Sequence, residues 1–115
     1  MSLNAYKKLS MNMSENLHIT ITRGNIYLSF ETYEKYFKNI ESIALLPHEK
    51  GFLIVPLIQQ SAGGLLLKIK NLRGDRVIHA QEFLRNNGYP ETFDEIACQI
   101  GWETERHALL VNYQL

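Results

Sequence analysis

The sequence predicts an α+β fold built from two related β-β-α-β halves, with short helices, within a single chain. Three observations lead there. First, a pattern recurs 50 residues on: Leu17-His18-Ile19-Thr20 is matched by Leu67-Lys68-Ile69-Lys70, apolar and polar residues alternating in both. Such alternation is the period-two signature of a half-buried strand. Second, Arg23-Gly24-Asn25 and Arg73-Gly74-Asp75 follow these runs, where Gly and Asn or Asp can take the positive φ of a hairpin reversal. Third, each turn leads into a short β-rich run and then into helical spacing. Two copies can bury a shared core that one could not. Any α+β chain with two hairpins offers the same outline, since only Arg and Gly are identical across the turns.

In order along the chain, Met1 to Asn16 is polar and has no apolar core of a signal peptide, so it is expected to be a loosely ordered extension. The domain then spans 17–115, with halves of about 17–60 and 65–115. After the first strand pair, Ser29 is placed to cap a helix over Glu31–Lys38. Phe30, Tyr33, Tyr36 and Phe37 form its apolar face, and Asn39 is its left-handed stop. Strands follow at Ser42–Leu46 and Phe52–Leu57, joined by a Pro47–Gly51 loop, and Ser61-Ala62-Gly63-Gly64 marks the joint between halves. The second half repeats strand, turn, strand and helix, closing at Asn86-Asn87-Gly88. Thr92-Phe93-Asp94-Glu95 then has the form of a capping box. With Phe93, Ile96, Ala97 and Ile100 at helical spacing, it predicts one more helix ending at Gly101. A last strand is expected over His107–Leu115, with Leu109, Val111 and Tyr113 on one face.

Composition restricts the function classes. At 115 residues the chain has room for one core, and its 12 basic and 12 acidic residues cancel. A neutral chain has no global field to recruit nucleic acid or an acidic membrane, so such a role needs a local patch. Cys98, the single cysteine, excludes an internal disulfide and a multi-cysteine zinc site, and suits the cytoplasm. The apolar runs near Phe52–Ile58 and Leu65–Leu67 are strand-sized and broken by Pro56 or Gly63-Gly64, so no membrane partner is expected.

The chemistry-bearing residues are few. Lys68, Lys70, Arg73 and Arg76 occupy one strand and turn, and Arg23 takes the matching turn of the first half. If the turns lie side by side, these five cations converge into a patch able to contact phosphates. Solvated strand faces also carry Lys and Arg, and Glu31, Glu34, Asp75 and Glu82 lie close enough to dilute the potential. Arg73-Gly74-Asp75 spells an integrin-binding tripeptide, but turn chemistry accounts for all three residues. His18, His48, His79 and His107 have no metal-ligand spacing, Gly63-Gly64 lacks the Lys and Ser/Thr of a phosphate loop, and Cys98 is expected to be buried and inert. The reading is therefore of no enzyme, no metal and no cofactor. Tyr33, Tyr36 and Phe37 read as core, or as an interface if the domain forms a homodimer.

The stretches Ile19-Thr20-Ile21-Thr22-Arg23-Gly24-Asn25-Ile26-Tyr27-Leu28-Ser29 and Leu67 through His79 resemble the AbrB-type swapped-hairpin family, including its tandem MraZ-like members. The resemblance covers about half the chain. It implies a small swapped-hairpin-like barrel and a DNA-binding transcriptional regulator or antitoxin-like protein contacting duplex DNA through Arg23, Lys68, Lys70, Arg73 and Arg76. The alternative is a protein–protein interaction module that binds no nucleic acid, which the neutral, tyrosine-rich composition favours.

Overall fold

Alternation along the first two strands decides what they bury. β1 (Ile19–Thr22) and β2 (Asn25–Leu28) pair antiparallel, sending Ile19, Ile21, Ile26 and Leu28 inward and Thr20, Thr22, Asn25 and Tyr27 outward. The computed structural model that shows this describes residues 17–58 and 63–114, so the expected extension over 1–16 and the first half of the joint at 61–64 lie outside the described residues. Helix α1 (Phe30–Tyr36) follows β2. Then come β3 (Ser42–His48), β4 (Gly51–Leu57), β5 (Leu65–Leu66), β6 (Lys68–Ile69), β7 (Arg76–His79), helix α2 (Gln81–Asn86), β8 (Ile96–Cys98), β9 (Ile100–Glu103) and β10 (Ala108–Asn112).

Every pairing is antiparallel, and the strands make two five-stranded sheets, β6-β7-β2-β1-β8 and β5-β3-β4-β10-β9. The sheets share their margins. Only Leu67 separates β5 in the second sheet from β6 in the first, and its N–H donates to the Glu41 carbonyl at 2.9 Å. Only Gln99 separates β8 from β9, and its carbonyl accepts from Asn112 at 2.9 Å. Between the sheets lie Ile19, Ile26 and Ile78 from the first, Ile43, Phe52, Ile54, Leu109 and Val111 from the second, and Phe37, all fully buried. Each such side chain contributes about 1.5–3 kcal/mol through removal of apolar surface from water.

The helices are held by particular contacts. The Ser29 hydroxyl accepts from the Thr32 amide at 3.2 Å, capping α1 as expected, and buried Thr32 donates its hydroxyl to the His18 carbonyl at 3.2 Å. Tyr36 stacks on Trp102 of β9, centroids 5.4 Å apart and planes within 6°. Asn39 takes φ +67°, the left-handed stop that was expected, although the helix itself ends at Tyr36. In α2, Leu84 is buried and Phe83 meets Phe52 edge-on at 5.7 Å.

Two expectations are overturned. No helix forms at 92–101: β8 and β9 run there instead. The Thr92 hydroxyl accepts from Asp94 rather than opening a helix, and its carbonyl accepts from Arg23 N–H at 2.9 Å. Ile96, Cys98, Ile100 and Trp102 also alternate at period two, and pairing them on β1 and β10 covers edges those strands would otherwise expose. The β3–β4 loop is also shorter than expected. Its strands run through Pro47 and His48 to a tight turn at Glu49-Lys50, His48 pairing with Gly51. Pro47 is accommodated because β5 covers β3 only at Ser42 and Ile43, so no partner on that side needs its missing N–H.

Candidate nucleic-acid interface

The two hairpin turns differ in construction. Arg23 (φ +54°) and Gly24 (φ +79°) form a two-residue turn with both residues left-handed, the geometry that matches the twist of the flanking strands. The second turn is a six-residue loop, Lys70–Asp75, closed by the Lys70 N–H to the Asp75 carbonyl at 2.8 Å. The Asn71 side-chain oxygen accepts from the amides of Gly74 and Asp75, both at 3.1 Å, folding the loop upon itself.

The β2–β7 register sets where the turns lie. Asn25 pairs with His79 and Leu28 with Arg76, so the start of β2 lies beside the end of β7. The Arg23-Gly24 turn is therefore at one end of the first sheet and the Lys70–Asp75 loop at the other, about 10 Å of strand apart at ~3.4 Å per residue. The expected convergence of all five cations does not occur. Instead, each turn sits on the helix of the other half. Gly24 accepts from the Ala80 amide at 3.0 Å, just ahead of α2. Asp75 Oδ1 accepts from the Phe30 amide at 2.7 Å, at the start of α1.

Each predicted site residue now has a partner set. Arg73 makes a bidentate pair with Glu31 at 2.7 and 2.8 Å and reaches Asp75 Oδ1 through Nε at 3.2 Å; these contacts raise its pKa further. For Asp75, burial pushes the carboxyl pKa up. Hydrogen bonds from Asn71, the Phe30 amide and Arg73 outweigh it, and the net shift is downward. With Arg73 and Asp75 committed to each other and to α1, the tripeptide is a structural loop. The Arg76 guanidinium lies 3.8 Å above the Tyr33 ring and donates to the Gly74 carbonyl. Lys68 faces outward in a row with Thr20, Tyr27 and Val77, and Lys70 holds its ammonium 4.4 Å over the Tyr27 ring. Arg23, at the far end, lies 5.0 Å over the ring of Phe93.

Lys68, Lys70, Arg73 and Arg76 are thus brought together, Arg73 neutralised by two carboxylates, while Arg23 stands apart. The residues missed from sequence are the aromatic rings beneath the cations, Tyr27, Tyr33 and Phe93, and the chain formed by His79 Nδ1 with Asn25 Oδ1 at 3.0 Å and by Asn25 Nδ2 with Tyr27 OH at 3.2 Å. Tyr27 and Asn25 were legible as outward residues of β2 by alternation alone. Phase was misleading at Ile69, which was aligned with buried Ile19 but lies 69% exposed on the last strand of the first sheet. Beside it runs a groove of about 640 Å³ lined by Tyr33, Ile40, Leu66, Ile69, Lys68 and Arg76. His48 receives the Lys50 amide on Nδ1 at 3.0 Å and turns Nε2 toward Glu103 at 3.6 Å. Among the described residues no cluster of His, Cys, Asp and Glu is arranged to hold a metal ion, and no helix is long and apolar enough to cross a membrane. No protein-family model matches the chain, and no curated protein or solved structure shows significant similarity to it.

Proposed function

We propose that this protein is a non-enzymatic protein–protein interaction module of the cytoplasm. Its recognition surface is the groove beside Leu65–Ile69, and its partner presents an extended segment in which apolar side chains are flanked by carboxylates. One observation carries this reading: Leu66 and Ile69, 58% and 69% exposed, line that groove together with the cations Lys68 and Arg76, against one carboxylate, Glu41. Exposed aliphatic groups ask for an apolar partner, and the flanking cations select acidic neighbours. β6 also ends the first sheet, so an added strand has an edge to join. A display library of random twelve-residue peptides, panned on the full chain, tests it. Enriched peptides should combine aliphatic and acidic residues, and Ile69→Asp should weaken them at least tenfold without unfolding the domain. Peptides without that character, or unaffected by Ile69→Asp, would refute it.

The DNA-binding regulator or antitoxin-like protein is the second reading, and two observations favour it. Lys68 and Lys70 share the outer face of the first sheet with Tyr27. The cross-docked turns are the kind of interleaving that the AbrB/MraZ-like resemblance implies. The same docking supports related halves and a swapped-hairpin-like barrel, as does the common spacing of 51 residues from Asn25 to Arg76 and from Phe30 to Gln81. On this reading Lys68 and Lys70 lead the phosphate contacts, Arg76 assists, and Arg73 and Arg23 contribute little. Affinity for duplex DNA should then fall with salt at a slope of about −0.9 per phosphate contacted. Lys70→Ala should reduce that slope by about one unit, and Arg73→Ala should not. Absence of binding at low salt eliminates this reading.

A further inference from the structure

Arg23 belongs to neither surface, yet it is held in a costly conformation. The first left-handed position of a two-residue hairpin turn favours Asn, Asp or Gly, and an arginine with φ +54° is there in spite of its backbone preference. Its guanidinium lies over Phe93, which is itself 79% exposed, and among the described residues no carboxylate pairs with it.

Beneath this cation is a recess of about 100 Å³ whose apolar lining includes Ile21, Leu84, Tyr89 and Pro90. A vestibule of about 280 Å³ adjoins it, and Arg23, Gln81, Glu91 and Thr92 line both. Glu91 supplies the opposite charge. Gln81 Nε2 donates to its Oε1, and Arg85 approaches the same oxygen at 3.9 Å, so Oε2 is left to receive a further donor. Arg85 also lines the recess, so two cations face one carboxylate: an entering carboxylate is drawn to Arg23, and Glu91 Oε2 favours an ammonium carried beside it. An apolar cavity of about 150 Å³ holds benzene, so the smaller recess suits a branched aliphatic group better than an indole.

We propose that this recess binds a small aliphatic α-amino acid, its carboxylate on Arg23, its ammonium on Glu91 and its side chain against Ile21, Leu84 and Tyr89. The site is independent of the groove beside Ile69. Calorimetric titration of the full chain with L-leucine tests it, with N-acetyl-L-leucine, L-leucinamide and L-tryptophan as probes lacking the ammonium, the carboxylate charge or the fit. Leucine should bind saturably and each other probe at least tenfold more weakly. Arg23→Asn removes the guanidinium but suits the left-handed turn, so it should lose leucine binding at least tenfold while melting no lower than the native chain. Glu91→Gln should abolish the preference for leucine over N-acetyl-L-leucine. No saturable leucine binding, equal binding of N-acetyl-L-leucine, or native affinity in a folded Arg23→Asn variant would each overturn the proposal.

Discussion

Replacing Asp75 by alanine should destabilise a helix that lies 45 residues earlier in the chain. The Asp75 carboxylate accepts from the Phe30 amide at 2.7 Å, from Asn71 Nδ2 at 3.0 Å and from Arg73 Nε at 3.2 Å, with its side chain 22% exposed. The Phe30 amide is one of the first-turn donors of α1 that have no intrahelical acceptor. Losing an N-terminal cap costs about 0.5–2 kcal/mol, and leaving a sequestered donor unmet about 1–3 kcal/mol, so Asp75→Ala should cost about 1–3 kcal/mol. With a urea m-value of about 1–3 kcal/mol/M, a loss near ~2 kcal/mol lowers the midpoint by about 1 M. The carboxyl has its folded pKa below the ordinary value of 3.8, so its stabilisation is present in full above that value and is lost as pH falls through the folded pKa. The gap between the native chain and Asp75→Asn, which keeps an acceptor but no charge, should therefore close on acidification. Urea denaturation of the three proteins at neutral and acid pH is the measurement. A loss under about 0.5 kcal/mol for Asp75→Ala, or a gap indifferent to pH, would show that the loop does not hold the helix.

Gly51→Ala should be among the most damaging single changes in the domain, about 3 kcal/mol or more, because a Cβ there would lie 2.0 Å from the Val111 carbonyl oxygen across the β4–β10 ladder; thermal unfolding reads this directly, and native-like melting would contradict the register. Cys98, 6% exposed, has its thiol pushed up by burial from 9.0 to about 11, so disulfide-exchange reagents at pH 8 should label the folded chain far more slowly than the unfolded chain. The raised value also means that stability present below about 9 declines as pH rises toward about 11, a decline that Cys98→Ala should lessen.

Local chemistry was legible where one residue type answers one backbone demand. Ser29 announced the start of α1, Gly24 marked the first turn and Asn39 took the left-handed backbone expected of it, though beyond the helix end at Tyr36, because capping oxygens and left-handed backbone leave few alternatives. The β3 and β4 strands were visible in their apolar runs, although Pro47 was read as a loop residue. Proline's cost depends on whether a neighbour needs its N–H, a tertiary fact that sequence does not carry. The segment at 92–101 shows the harder ambiguity. Ile96 and Ile100, four residues apart, satisfy a helix and a strand equally, and the capping box tipped the reading toward helix. What decided the matter was the open edge of β1, more than seventy residues away in sequence and beyond local reading. Phase failed likewise at Ile69: the second hairpin loop has six residues where the first has two, so fixed spacing misaligned β6 with β1.

The expected convergence of the five cations fails for a related reason, and that bears on how charge should be read in small two-sheet folds. Five cations near two turns promise a patch only if the turns are neighbours. An antiparallel β2–β7 seam places them at opposite ends. Each turn then meets a helix start, and the second meets acidic side chains there: Arg73 finds Glu31 because its loop closes over α1. The same seam that lets two small hairpins share one core therefore consumes part of their charge in joining them. What it leaves outward lies at two separate places. At one end, Lys68 and Arg76 flank exposed aliphatic groups on a sheet margin. At the other, Arg23 stands with Glu91 over an apolar recess. A neutral chain thereby presents two locally polarised surfaces, and the recognition proposed for each would depend on pairing charge with apolar area rather than on a long-range field.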